Sequence, residues 1–299
     1  MSHVQTQTQI VLPPEIRSRI AEGCRGLQML PAVARDALEI ARDPNCSIIE
    51  FTTLVERDVK LAADILAMSN SVVYSAGRSI SNLHQAVVRL GFRQCKNLIL
   101  STSAASLMSN VSIEQEWIRE VLWKHGFLTA ILAIHVNRTL SIGYRGEEFT
   151  AGLMHDWGRT LTASCLPELF HQADALTFDE GEATLRQEME ALGATHCEIG
   201  GWFAQSTSLP PEITEVVRFH HTPEQAGEHQ RLVALIAICD EMANCIQREQ
   251  SRDFVPAHSP GAVILEGCGI PRATERLREM APTIMEAAVR DAADMNPGA

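Results

Sequence analysis

Aromatic side chains are scarce in this chain, at 5% of residues with only two tyrosines. β-Sandwiches and barrels draw on Tyr, Val and Thr for their half-buried faces, so the scarcity argues against an all-β core. Long apolar runs are missing as well. Phe127–Val136 and Leu232–Cys239 stop well short of the ~20 residues that a membrane span requires. Met1–Gln9 is polar and Thr/Gln-rich, without the basic start and apolar stretch of a secretory signal, so a cytoplasmic location is expected. No Lys/Arg run appears, and 37 acidic residues outweigh 25 basic ones for a net charge of −12. Such a surface repels phosphate backbones and anionic lipid, so neither nucleic acid nor membrane is expected as a partner. None of the eight cysteines is paired in C-x-x-C spacing, which excludes a zinc knuckle and a thioredoxin-type redox pair. Contexts such as Ile238-Cys239 and Ser164-Cys165-Leu166 read as small, reduced core residues.

What the chain does contain is helix. Ala, Leu, Ile and Glu are abundant, and hydrophobic residues make up 45% of 299 positions, enough for one large domain or two medium ones. Helical periodicity predicts helices over about 13–24, 31–42, 47–56, 58–70, 81–90 and 93–108, then 113–140, 147–164, 167–175, 182–192, 195–206, 211–221, 229–249 and 271–292. Ser47…Glu50, Ser112…Gln115 and Thr195…Glu198 have the spacing of capping boxes. Pro31, Pro167 and Pro210-Pro211 stand where helices begin, and Gly91, Gly143 and Gly193 where they end. Residues 72–81 and 250–269 read as loops. The expected architecture is all-α and two-lobed: a disordered tail over 1–12, a first lobe over 13–110, a second over 111–250 and a helical extension over 251–299.

The second lobe concentrates the residues able to do chemistry. His155-Asp156 lies in the apolar, small-residue stretch Phe149–Arg159, where a buried acid needs a cation or several donors to offset desolvation. Asp240 interrupts the apolar run Leu232–Ala243 in the same way. His125 follows Val121-Leu122-Trp123, His196 opens a helix carrying Ile199 and Trp202, and His220-His221 ends one carrying Ile213, Val216 and Val217. Imidazole and carboxylate donors converging from several helices suit a divalent transition metal. Neighbouring residues on one helix diverge by about 100°, so His155-Asp156 can supply two donors only by straddling the site. Of the remaining histidines, His84, His171, His229 and His258 read as surface or loop residues, and His135 lies out of phase with His125 on its helix. Ser164 near His171 has no accompanying triad.

The order His125, His155-Asp156, Asp240 resembles the HD superfamily of metal-dependent phosphohydrolases, and His196 and His220-His221 resemble the extra ligands of its two-metal members. The first lobe carries Leu30-Pro-Ala-Val-Ala34, Glu56-Arg-Asp58, Ile65-Leu-Ala-Met-Ser-Asn-Ser71 and Ile80–Gly91, which look like an HDOD domain. Gly152–Arg159 and Trp202…Leu209-Pro-Pro-Glu-Ile213 continue that likeness, which extends over about 25–245. HDOD domains are bacterial regulatory relatives of the HD phosphohydrolases.

The resemblance implies one divalent ion (Fe, Mn, Zn, Ni or Mg) held by His125, His155, Asp156 and Asp240. A second ion would be shared through Asp156 and completed by His196, His220 and His221. Asp156 and Arg159 are then the expected catalytic groups if phosphoesters are hydrolysed. Two departures turn the expectation away from cyclic-di-GMP hydrolysis. The HD-GYP branch has a lysine where this chain has Arg159, and a planar guanidinium is not equivalent to an ammonium. That branch also continues past its paired histidines with Gly-Tyr-Pro, whereas here His220-His221 is followed by Thr222-Pro223-Glu224. A signal-transduction module meeting a protein partner or small ligand is therefore expected first, and a metal-dependent phosphohydrolase second.

Overall fold

A computed structural model describes residues 10–25, 32–41, 43, 46–70, 79–179, 181–207, 209–249 and 253–295. The expected features at Met1–Gln9, at Pro31 and over 71–78 lie outside these residues. The described residues are all-α, with no strand among them. The first helices are α1 (Pro14–Gly23), α2 (Ala32–Ile40), α3 (Ile48–Val55), α4 (Val59–Ser69) and α5 (Leu83–Asn110). They are followed by α6 (Glu116–Leu140), α7 (Glu147–Met154), α8 (Trp157–Cys165), α9 (Pro167–Ala173) and α10 (Glu182–Leu192). The chain then forms α11 (His196–Ser206), α12 (Pro211–Phe219), α13 (Gln230–Gln247), α14 (Pro260–Gly267) and α15 (Ala273–Met295). Among the described residues no helix is long and apolar enough to cross a membrane.

Two apolar cores form. The smaller joins α2 to α4 with the first part of α5 through Ala37, Phe51, Val55, Ile65, Val87 and Leu98. The larger gathers α6 to α15 around Ile131, Leu132, Leu161, Val233 and Ile236, and it also takes in Ile16 and Ile20 of α1. Ile10 and Leu12 are buried in that larger core too, so the end of the expected tail is packed along the protein.

Several boundaries follow the sequence. Ser47 Oγ accepts from Glu50 N–H, and Thr195 with Glu198 makes a complete capping box. Gly193 ends α10 in the left-handed region at φ 68°. Gly91 marks a kink inside α5, at φ 76° and ψ 163°.

Three expectations need correcting. Ser112 does not cap α6, which starts later from Gln115, and its carbonyl accepts the Ser164 hydroxyl instead. The stretch 250–269 contains a helix, α14, opened by Pro260 and buried through Ala262 and Leu265. Its loop-like Gly and Pro content hid a short apolar face.

The third correction shapes the site: 147–164 is not one helix but α7 and α8, broken at His155-Asp156. His155 Nδ1 takes the Gly152 carbonyl at 2.7 Å, the carbonyl that an unbroken helix would offer to the Asp156 N–H. Asp156 leaves the helical region at φ −94°, ψ 19°, and its own carbonyl starts α8 by accepting from Arg159 N–H. The break re-aims the two side chains, which a continuous helix would splay apart.

Candidate metal centre

All seven donors singled out in the sequence meet at one place, each from a helix or a helix end. His125 comes from the middle of α6, His155 ends α7 and Asp156 precedes α8. His196 opens α11, His220-His221 follows α12, and Asp240 lies in α13. Close backbone contact makes the convergence possible. A Cβ on Gly152 would stand 2.7 Å from Ala130 Cα, and one on Gly158 only 1.9 Å from the His196 carbonyl oxygen. Only glycine lets α7 lie against α6 and α8 against the start of α11.

Four imidazoles are oriented by the nitrogen that faces away from the centre. His155 Nδ1 meets the Gly152 carbonyl at 2.7 Å, and His220 Nδ1 meets the Val216 carbonyl at 3.1 Å. His196 Nδ1 meets the Glu188 carboxylate at 2.8 Å, and His125 Nδ1 meets Gln247 Oε1 at 2.6 Å. Each partner is an acceptor, so each Nδ1 carries a hydrogen and each Nε2 is turned inward, where it can serve as a ligand once bare. Those inward nitrogens crowd together: His125 and His155 at 3.2 Å, His196 and His220 at 3.3 Å. Facing lone pairs repel unless a cation or a proton lies between them.

The carboxylates complete the set. Asp240 Oδ1 lies 3.1 Å from His125 Nε2 and 3.6 Å from His155 Nε2, and accepts from Asn244 Nδ2 at 2.9 Å. Asp156 faces both halves. Its Oδ2 is 3.5 Å from His125 Nε2, while Oδ1 is 3.4 Å from the Nε2 atoms of both His196 and His220. Asp156 is 7% exposed, yet Oδ1 accepts no well-formed hydrogen bond. Leaving a buried carboxylate oxygen in that state costs roughly several kcal/mol unless positive charge, from a metal ion or a protonated ring, faces it. The donor chemistry and this orphaned oxygen both fit a divalent metal. His125–His155–Asp240, His155–Asp156–His220 and His196–Cys197–His220–His221 are each spaced to hold one.

Charge follows geometry. Burial pushes the Asp156 carboxyl upward, but His155, Arg159 and His220 overturn that and hold it well below the ordinary carboxylate range. Asp240 is likewise held low, against burial, by His125 and His155. Burial would lower His196, but Cys197 and Glu188 raise it well above the usual imidazole value; Cys197 and Asp156 do the same for His220.

Arg159 is 3% exposed and gives its guanidinium to two carboxylates. It donates to Asp156 Oδ2 at 2.9 Å and through two nitrogens to Asp174 at 2.7 and 3.1 Å. Its evident work is to hold Asp156 in place. Phe178 stacks on His125 with ring centroids 5.5 Å apart and is held at φ 55°, a strained conformation for an aromatic residue.

Of the other described histidines, His135 pairs with Asp291 at 2.9 Å, and His84 and His171 are exposed. Reasoning from sequence missed Glu188, Gln247, Asp174 and Cys197. Only Cys197, adjacent to His196, carried a signal that could have been used; the others reach the centre through tertiary packing.

Residues 27–223 match the HDOD domain. The chain belongs to the HDOD family. Among solved structures, an HDOD domain protein of unknown function from Geobacter sulfurreducens aligns with TM-score 0.66 at 22% identity, over 92% of this chain and 99% of that one. A candidate phosphohydrolase from Shewanella amazonensis SB2B gives 0.65 at 21% identity, over 92% and 98%. A candidate signal transduction protein from Marinobacter aquaeolei VT8 gives 0.58 at 20%, over 95% and 67%. These likenesses establish a shared HDOD helical fold. A curated relative, an uncharacterized protein of Treponema pallidum (strain Nichols), is 24% identical over 257 residues, 85% of this chain and 48% of that protein. The chain thus spans about half the length of the curated relative it matches. The HDOD match stops before Asp240 and Gln247, which the fold nevertheless brings to the same centre.

Proposed function

We propose that this HDOD protein is a bacterial signal-transduction module that binds a partner protein or small ligand, with a divalent metal centre as the organising core of its second half. In this reading His125, His155, Asp156 and Asp240 take one ion. His196, His220 and His221 take a second, which Asp156 shares. Imidazole donors suit iron, zinc and nickel, and carboxylate donors suit manganese and magnesium.

The observation that carries the regulatory reading is enclosure. His125, His155, His196, His220, Asp156 and Asp240 are all buried, Phe178 covers His125, and Arg159 is engaged by Asp156 and Asp174. A guanidinium held by two carboxylates is poorly placed to clamp a phosphate. The likeness to a candidate signal transduction protein is in keeping with this reading.

A metal-dependent phosphohydrolase is the second reading, favoured by the full donor set and by Asp156 between its halves. Bound ions would supply Lewis acidity and charge neutralisation at a phosphoester. Asp156 would orient the centre, and Arg159 would be a positioning residue acting through it. A panel of nucleotides and simple phosphoesters, assayed with Mn²⁺, Fe²⁺ and Mg²⁺, decides between the readings. The regulatory reading expects wild type and Asp156→Ala to show the same background rate. Turnover in wild type that Asp156→Ala abolishes overturns it.

A further inference from the structure

Among the described residues Cys197 is the one sulfur in the groups spaced to hold a metal, and neither the HD-type order of ligands nor the likeness to HDOD proteins assigns it a part. It is the second residue of α11, directly after His196, and is buried. Its Sγ lies 3.4 Å from His196 Nε2 and 3.9 Å from His220 Nε2, while those two nitrogens are 3.3 Å apart. A ring nitrogen of His221 falls in the same group, all four donor atoms lying within 4.8 Å of one another.

These separations have the dimensions of a coordination polyhedron. Tetrahedral zinc with Zn–N of about 2.0–2.1 Å and Zn–S of about 2.3 Å places neighbouring nitrogens about 3.3–3.4 Å apart and nitrogen and sulfur about 3.5 Å apart. The His196–His220 and His196–Cys197 edges match, and the His220–Cys197 edge is open by a few tenths of an ångström. The second, independent observation is Asp156 Oδ1, buried, without a well-formed hydrogen bond and 3.4 Å from the same two ring nitrogens. Other buried thiols have different surroundings: Cys95 lies among the apolar side chains of the smaller core, where burial pushes it up to about 12.

We infer that Cys197 is a thiolate ligand, making the α11–α12 half of the centre a mixed sulfur and nitrogen site selective for zinc. The opposite half, His125, His155 and Asp240 with Asp156 between, offers only nitrogen and oxygen and suits harder ions such as Fe²⁺ or Mn²⁺. The two halves are thus chemically unlike, because thiolate favours soft ions whereas carboxylate suits Mg²⁺ and Mn²⁺. The inference rests on the reading that the centre holds metal.

The test uses the full chain stripped of metal and reloaded with Co²⁺, a spectroscopic stand-in for zinc. Wild type is expected to show a sulfur-to-cobalt charge-transfer band in the near ultraviolet. Cys197→Ser should lose that band and bind Co²⁺ at this half roughly 10–100-fold more weakly, while the other half still binds. Cobalt bound with no such band in wild type, or a band surviving in Cys197→Ser, overturns the inference and leaves the metal centre standing. No cobalt bound by wild type overturns both together. Zinc-edge X-ray absorption on zinc-loaded wild type provides a check independent of any variant. One sulfur neighbour at about 2.3 Å is expected. A shell of nitrogen and oxygen alone contradicts the assignment.

Discussion

His196 and His220 face each other with their Nε2 atoms 3.3 Å apart, each ring anchored at its far nitrogen, one on Glu188 and the other on the Val216 carbonyl. Two imidazoles fixed in that tautomer repel each other unless something positive lies between them. The same holds for His125 and His155 at 3.2 Å. Two such pairs, with Asp156 reaching toward both, are the physical core of the metal reading.

The first prediction concerns pH. His196 and His220 hold their protons well above the ordinary imidazole value in the metal-free protein. A ligand nitrogen must be bare, so metal binding releases those protons. Apparent affinity should therefore rise with pH up to those raised values and level off above them. Calorimetric titration in buffers of different ionisation heat should report net proton release on metal binding. Affinity independent of pH across that window would count against the assignment of these two rings as ligands.

Glu188 is the partner that orients His196. It is 2% exposed and accepts from both the His196 backbone N–H and Nδ1, at 2.9 and 2.8 Å. Removing such an orienting acceptor typically lowers metal affinity by about 10–100-fold. Glu188→Ala should show that loss in equilibrium dialysis, and Glu188→Gln, which keeps an acceptor oxygen, a smaller one. Unchanged affinity in Glu188→Ala would separate His196 from the metal.

Arg159 binds Asp156 and Asp174 in a buried three-residue network. Breaking a buried ion pair by deleting one member costs about 3–5 kcal/mol, because the other charge is left unpaired. Arg159→Ala should lose stability on that scale in urea unfolding and weaken metal binding by freeing Asp156. Arg159→Lys should fall between, since an ammonium cannot reproduce the planar fork. Full stability in Arg159→Ala would show the network to be dispensable.

Gly158 tests the packing that delivers His196. Its missing Cβ would meet the His196 carbonyl oxygen at 1.9 Å, a backbone atom that cannot turn aside. Gly158→Ala should force α8 and α11 apart, costing at least about 1–3 kcal/mol of overpacking and loosening the centre. Thermal unfolding together with metal content reads both effects, and a variant with wild-type values for each would contradict the described contact.

Much of this was legible in the sequence because it is written locally. Thr195 and Glu198 announce the start of α11 by their own spacing, and Asp240 stands out because an unpaired acid in an apolar run is costly. Other parts were hidden for physical reasons. Gly152 and Gly158 weaken the helix around His155-Asp156 without marking where it breaks, and at the break the His155 ring takes the Gly152 carbonyl. Gln247 meets His125 across 122 residues of chain, and Glu188 comes from a different helix than His196, so neither leaves a short-range mark. Cys197 has no C-x-x-C partner to mark it, and beyond its neighbour His196 the ring nearest its sulfur is His220, brought in from the end of α12.

The most direct test of the metal centre is anomalous diffraction from crystals grown with zinc or iron, with data collected on both sides of the metal's absorption edge. The account predicts an edge-dependent peak bounded by His125, His155, Asp156 and Asp240, or by Asp156, His196 and His220, at about 2.0–2.2 Å from each donor atom. Crystals saturated with either metal that show no peak among these residues would contradict it.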